Sequence, residues 1–384
     1  MAGLLFQAYM KFNPIPLPLP DTFAGQTAVV TGGTSGLGLA TAVHLLRLGA
    51  AEVIISARDA ARGRNAAAHI TAEASKGGGG KDDGGRNKKT LGQVRVLELD
   101  MNRYDSVVAF AKNVIEVKKG KGGVDVVVLN AGMIGTEYEL GPEGWEQNLQ
   151  TNTLSTTLLA ALLLPYMKSE RANRRSPAHL TLVGSMRHTD PDINQWHEWA
   201  GQEGGGGVLE HLNRPENFGS ANDRYASTKL LLEYAFGELV KLARKDGPNN
   251  GDGDKGQPQV IMNTVCPGIV KTSLARDYEA RGGLGMRVVV AIFQGLFGKS
   301  AADGARSYLA AVTTKENQHY KHLMSHIPMP CHIANELTQR VCIRMSERVI
   351  SSHAGQEMQA QVWGELRHEL GAKVPAFKET LLTD

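Results

Sequence analysis

Cysteine is scarce in this chain of 384 residues: there are three, Cys266, Cys331 and Cys342, odd in number and without a C-x-x-C spacing. That excludes a disulfide framework and a zinc site built on paired thiols, and it points to a reducing, cytoplasmic compartment. Excess charge is lacking too. The formal net charge is +3, with 42 Lys and Arg interspersed among 39 Asp and Glu, so there is no nucleic-acid footprint and the expected partner is a hydrophobic small molecule. No apolar run reaches the roughly 20 residues of a membrane helix. The opening MAGLLFQAYMKF has no preceding positive charge and no small-residue cleavage site, which argues against a signal peptide. Leu284 to Phe297 is apolar but is 14 residues long and contains Arg287, so it reads as a buried or lid helix. Peripheral membrane contact and oligomerisation stay open. Internal repeats are absent, and the scattered histidines show no metal-ligand spacing.

What is present is a rhythm of short apolar runs alternating with helical patterns. TAVV (27–30), EVIIS (52–56), VRVLEL (94–99), VDVVVLN (124–130), HLTLVGS (179–185) and QVIMNTV (259–265) are nearly continuous in apolar residues. A parallel sheet covered on both faces requires that pattern. Helix-like periodicity fills 37–49, 59–74, 103–117, 145–168 and 225–245. The expected fold is therefore α/β, a doubly wound parallel sheet of Rossmann type, as a single domain over residues 25–345. Lys76–Gly92, Gly201–Gly207 and Asp246–Gly256 are too rich in glycine and charge to bury apolar surface, and are read as exposed loops inserted into that domain. Residues 1–24, with NPIPLPLPD at 13–21, are expected to form an extended strap. Residues 346–384 are expected to be a helical extension packed on the domain.

The first strand runs into VVTGGTSGLGLATAVHLL, a G-x-x-x-G-x-G turn at Gly32, Gly36 and Gly38. The spacing recurs at Gly201 and at Gly247, so alone it is weak; only the first copy follows a strand and opens an amphipathic helix. In that context glycine lets the backbone approach a pyrophosphate at a helix N-terminus. The duller alternative is a tight turn with no ligand. The carboxylate that would bind an adenine-ribose 2′-hydroxyl should end the second strand, but Ala57 stands there and Arg58 follows. A guanidinium can fork onto a 2′-phosphate, so NADP(H) is favoured over NAD(H).

Of nine tyrosines, only Tyr225 is followed four residues later by lysine, Lys229. Residues i and i+4 share a helix face, so the ammonium could bias the phenol toward ionisation and lower its pKa from near 10. The neighbours sharpen this. In chain order stand TGGTSGLG (31–38), LDMN (99–102), NAG (130–132), Asn152 in LQTNTLST, Ser185 in LVGSM, RYASTK (224–229) and CPGIVKT (266–272). From about Gly25 to Thr272 the chain resembles the short-chain dehydrogenase/reductase family, in its retinol-dehydrogenase-like branch that includes many fungal reductases.

The resemblance implies roles. Tyr225 would be the acid/base, Ser185 would hydrogen-bond the substrate carbonyl, and Asn152 would hold a water in a proton relay behind Lys229, which also reaches a ribose. The dinucleotide would lie on Gly32, Thr34, Ser35, Gly36, Leu37 and Gly38, with Arg58 at the 2′-phosphate. Asp100 would stand near the adenine, and Asn130, Ala131 and Gly132 beside the ribose. Pro267, Gly268, Ile269 and Thr272 would run along the nicotinamide carboxamide. The implied activity is NADPH-dependent reduction of a carbonyl, or the reverse oxidation; a non-redox isomerase, dehydratase or cyclase in the same pocket, and a non-catalytic NADPH-binding protein, are the rivals. Ser185 and Tyr225 are 40 positions apart, longer than the family's usual interval. The intervening segment, with Trp196 and Trp199 around His197 and Glu198, is expected to overhang the reacting carbon. The lid would comprise 186–224 and 273–300, including Met286, Phe293 and Phe297, and would favour a bulky apolar substrate. His197 and Glu198 are candidate extra acid/base groups, with solvated loop residues the blander reading.

Overall fold

The computed structural model describes residues 2–76, 91–201, 206–243, 258–272, 283–315, 321–324 and 347–382. The strands are β1 (Thr27–Val30), β2 (Glu52–Ala57), β3 (Gln93–Glu98), β4 (Val126–Leu129), β5 (Ala178–Val183), β6 (Val260–Cys266) and β7 (Lys321–Met324). They form one sheet in the order β3-β2-β1-β4-β5-β6-β7, and every pair is parallel. The helices are α1 (Ala2–Phe12), α2 (Gly36–Arg47), α3 (Ala60–Lys76), α4 (Tyr104–Lys118), α5 (Gln147–Leu149), α6 (Ser155–Ser169), α7 (Ile193–Gly201), α8 (Gly207–Asn213), α9 (Ala221–Leu242), α10 (Gly283–Phe297), α11 (Ala301–Ala311), α12 (His353–Lys373) and α13 (Pro375–Leu382).

The central strands are buried and rich in apolar residues because both faces are covered. Successive side chains point to opposite sides, so Val29, Ile54 and Val127 enter a core with Phe110 of α4, Leu158 of α6 and Leu231 of α9. Val30, Ile55 and Val128 enter a second core with Leu45 of α2, Ile70 of α3 and Tyr308 of α11. The strand order reverses between β1 and β4, and an open α/β sheet offers a crevice at the carboxyl ends of strands at such a switch point. The glycine turn and the NAG segment leave the sheet there.

Four features depart from expectation. The first 24 residues are not one extended strap: α1 is helical to Phe12, and the chain extends only where the prolines from Pro14 onward remove amide donors. Residues 145–168 are not one regular helix. After α5, Gln150–Leu154 form a π turn, and α6 follows with Pro165 inside it. Strand β7 comes from a four-residue segment with no apolar run to announce it. Finally, α10 is not buried over its described side chains: Ile292, Phe293 and Leu296 are 58%, 41% and 57% exposed. The glycine-rich segments 77–90, 202–205 and 244–257, and the lid stretch 273–282, lie outside the described residues.

The chain's last helices form a third layer. Val362, Leu366 and Leu370 of α12 and Phe377 of α13 join the core that holds α6 and α9. Consequently α9 is buried on most of its circumference, including Glu233 and Tyr234, and the Tyr234 hydroxyl donates to the Val349 carbonyl at 2.7 Å.

Candidate active site

The glycine turn is held open by conformation and by crowding. Gly36 has φ +54°, a left-handed value that side chains resist. A Cβ on Gly38 would run into the Gly32 carbonyl oxygen and come within 2.6 Å of the Asn130 amide. Gly38 is thus a packing residue behind the turn and does not line the cleft. Ser35 sits at the N-cap of α2 without a side-chain cap bond, and no acid stands in that helix's first turn. The first-turn N–H groups can therefore receive an anion. Asn130 braces the turn from below: its side-chain amide donates to the Thr31 carbonyl at 2.9 Å, and its oxygen accepts from the Tyr308 hydroxyl at 3.1 Å.

At the end of β2, Arg58 is exposed along the cleft, and so is Arg62 one turn into α3. The acid between them, Asp59, lines the same cleft. Its carboxylate accepts the Arg62 backbone N–H at 2.7 Å and caps the helix. Two guanidinium groups and a carboxylate already engaged suit a phosphate. Asp100 accepts the Asn102 N–H at 3.0 Å and lines the same cleft.

The other end of the cleft is built by Ser185, Tyr225 and Lys229. Ser185 lies two residues past β5, where its hydroxyl accepts the Arg187 N–H at 3.3 Å and stands close enough to the Tyr225 phenol to act on its proton affinity. The Lys229 ammonium lies 5.5 Å from the centroid of the Tyr225 ring and donates to the Val183 carbonyl at 2.7 Å. The electrostatics correct the expectation that Lys229 lowers the phenol pKa. Burial raises it, the Cys266 thiol adds to the rise, and the Ser185 hydroxyl opposes it. Lys229 is itself pulled down to about 8 by burial, against the opposing pull of Glu233 and Cys266. Desolvation is the largest cause of both shifts, upward for the phenol and downward for the ammonium.

Asn152 stands behind the wall instead of in the cleft. Its side chain accepts the Met133 N–H at 2.9 Å and donates to the Met133 carbonyl at 2.9 Å and the Thr228 hydroxyl at 3.1 Å. A Cβ placed on Gly132 would sit 3.2 Å from the Asn152 oxygen and 4.0 Å from the Lys229 nitrogen, so the two side chains do converge beneath that glycine. Ile269 is likewise withdrawn: its N–H donates to Gln7 of α1 at 3.0 Å. The neighbouring Gly268 and Thr272 line the cleft, with Thr272 against the glycine turn.

One cleft of about 400 Å³ thus collects Gly32, Thr34, Ser35, Gly36, Leu37, Arg58, Asp100, Asn130, Ala131, Gly132, Ser185, Tyr225, Lys229, Pro267, Gly268 and Thr272. Gly38, Asn152 and Ile269 support it from outside. Arg62, Met133, Thr151, Cys266 and Tyr308 also line it and were not singled out in the sequence. Arg62 was legible as an i+4 partner of Arg58. Tyr308 was not, since it lies 36 positions beyond Thr272.

Among the described residues between Ser185 and Tyr225, none lines this cleft. Trp196 is 2% exposed, Trp199 stacks on His211 with centroids 3.9 Å apart, and the His197 ring bonds the Ala354 carbonyl at 3.0 Å. None of Trp196, Trp199, His197 and Glu198 lines the cleft. The reason is α12, which offers α7 and α8 an apolar surface to bury against. Among the described residues no three His, Cys, Asp or Glu side chains cluster as metal ligands, and no helix is long and apolar enough to cross a membrane.

Comparison with known proteins agrees with this geometry. The family model described as short chain dehydrogenase matches residues 26–191. The short-chain dehydrogenase/reductase phmF of Phaeosphaeria nodorum is 33% identical over 311 residues, covering 81% of this chain and 80% of its own. The short-chain dehydrogenase/reductase tropG of Talaromyces stipitatus is 31% identical over 362 residues, covering 94% and 95%. Among solved structures, a 3-oxoacyl (acyl-carrier-protein) reductase from Agrobacterium tumefaciens with NADP bound shares the fold at a TM-score of 0.52 and 18% identity, covering 80% of this chain and 96% of that one. With a doubly wound sheet, a glycine turn at its switch point and relatives aligned along nearly the whole length, the chain belongs to the short-chain dehydrogenase/reductase family of oxidoreductases.

Proposed function

We propose that this oxidoreductase is an NADPH-dependent carbonyl reductase, able in principle to run as the reverse alcohol dehydrogenase, with Tyr225 as the proton donor. The observation that carries the reading is the layout of the cleft: two guanidiniums at one end, a phenol beside a serine hydroxyl at the other, and a glycine turn between them. Arg58 and Arg62 would hold the 2′-phosphate, the first turn of α2 the pyrophosphate, and Lys229 the ribose nearest Tyr225. When bound, the nicotinamide supplies the hydride chemistry.

A phenol that holds its proton at neutral pH suits the role of proton donor. At neutral pH Tyr225 keeps its proton and can give it to a carbonyl oxygen on which negative charge is growing, while the Ser185 hydroxyl donates to the same oxygen. Met133, Ile134 and Val183 line the cleft beside these groups, which favours an apolar substrate. Incubating the purified chain and NADPH with a set of apolar ketones, while following absorbance loss and product mass together, tests the reading. Stoichiometric NADPH loss and alcohol formation support it; product formation with no NADPH consumed would assign the pocket to isomerisation, dehydration or cyclisation.

A further inference from the structure

An ion pair with no part in this chemistry lies one residue from Tyr225. Arg224 and Glu146 are both wholly withdrawn from solvent, with the Arg224 Nε 3.9 Å from a Glu146 carboxylate oxygen. Arg224 donates one terminal N–H to the Leu212 carbonyl and another to the Asn217 carbonyl at 2.7 Å. Its cation also lies 5.2 Å from the centroid of Phe218. All three partners belong to the segment between Ser185 and Tyr225.

Glu146 reaches the opposite way. Its carboxylate accepts the Asn148 N–H at 2.8 Å, the Asn148 side-chain amide at 2.6 Å and the Leu149 N–H at 3.2 Å, which caps the helix leading into the π turn. Its own N–H donates to the Asn213 side chain at 2.7 Å. Asn148 then accepts the Gly135 N–H at 2.7 Å, and Asn152 holds both backbone groups of Met133. Arg224 thus faces Glu146 as an ion pair, and hydrogen bonds run on from Glu146 through Asn148 to Gly135, next in the chain to Met133 and Ile134 of the cleft wall. Isolated, either buried charge would be strongly disfavoured; burial does push the Glu146 carboxyl up and the Arg224 guanidinium down, and each partner opposes the shift of the other.

We propose that Arg224 and Glu146 are positioning residues that set the distance between this wall and Tyr225, and thereby the size of substrate that reaches the phenol. The kinetic side of the proposal rests on the carbonyl-reductase reading; the structural side does not.

Two variants of the full chain test it. Arg224→Lys keeps the cation but replaces the planar fork by a point charge that cannot serve the two carbonyls and the carboxylate together. Arg224→Met combined with Glu146→Leu removes both charges, so neither is left unpaired. For each, kcat and KM are measured with a bulky and a small ketone, NADPH Kd by titration, and hydrogen exchange at the Gly135 and Leu149 amides without cofactor. The ratio of kcat/KM for bulky over small ketone should change by about fivefold or more, carried by KM. NADPH Kd should stay within about twofold, and exchange at the two amides should quicken by about tenfold. A parental ratio with parental exchange would overturn the proposal. Equal losses for both ketones and for NADPH would overturn it as well, because they report general loosening. If the parent reduces no ketone, the reductase reading fails while exchange still decides the role of the pair; if Arg224→Lys does not fold, the double variant carries the test.

Discussion

At the glycine-turn end of the cleft, most of the groups that would meet a ligand belong to two short stretches, 31–38 and 58–62, with Asp100 and Thr272 beside them. At the Tyr225 end they are assembled from residues far apart in the chain: Val183 with Lys229, Ser185 with Tyr225, Met133 with Asn152, Glu146 with Arg224. The first end is a local device that a doubly wound sheet can carry anywhere its first strand meets its first helix. The second exists only because β5, α9 and the π turn are packed at one depth. Damage at the two ends should therefore have opposite signatures, in binding at one and in turnover at the other.

The sharpest break in that contrast would come from Tyr225→Phe. Turnover should fall by about a hundredfold or more while NADPH Kd stays within about twofold, as read by steady-state kinetics beside a binding titration; unchanged turnover would remove the phenol from the mechanism. Gly38→Ala should give the mirror image. Its Cβ has no room against the Gly32 carbonyl, and an overpacked site of this kind costs about 1–3 kcal/mol. NADPH should bind about tenfold more weakly or worse, with kcat at saturating cofactor much closer to the parent. Arg58→Glu and Arg62→Glu should each shift preference from NADPH toward NADH, by about tenfold, when kcat/KM is compared for the two. If only Arg58→Glu does so, Arg62 is a surface residue.

The smallest effect expected is a pH dependence of stability. Below about pH 8 the Lys229 ammonium is charged in both the folded and the unfolded chain, and its burial costs a constant amount. Above that, the folded chain gives up the proton first, so stability rises with pH toward the ordinary lysine value of 10.5. Tyr225, shifted upward, acts in the opposite sense only above 10. Thermal unfolding between pH 8 and 10 should show the rise in the parent and a flatter profile in Lys229→Met.

Most of the sheet was legible because strands covered on both faces are rich in apolar residues, and six of the seven carry a short, nearly continuous apolar run. The seventh, KHLM at the sheet edge, carries no such run. The site residues that were legible sit in motifs whose chemistry needs a fixed local spacing: the glycine turn, and Tyr225 with Lys229. Arg62 escaped notice because an arginine in a solvated helix is ordinary until Arg58 stands one turn below it on the same cleft. The tryptophans misled for a related reason. Aromatic residues near a catalytic serine suit a substrate pocket or a core equally well, and the choice was made by α12, more than 150 positions away from Trp196.

By itself the amino-acid sequence determined the doubly wound sheet, the turn at its first strand and the pairing of phenol and ammonium on one helix, because each follows from periodicity or contact between residues close along the chain. Tertiary structure alone decided that burial pushes the phenol pKa up, that Asn152 and Ile269 stand behind the cleft, and that an arginine beside Tyr225 is paired with a glutamate on another element. Those outcomes depend on which groups are taken out of water together. Desolvation belongs to the packed whole, and no single stretch of the chain encodes it.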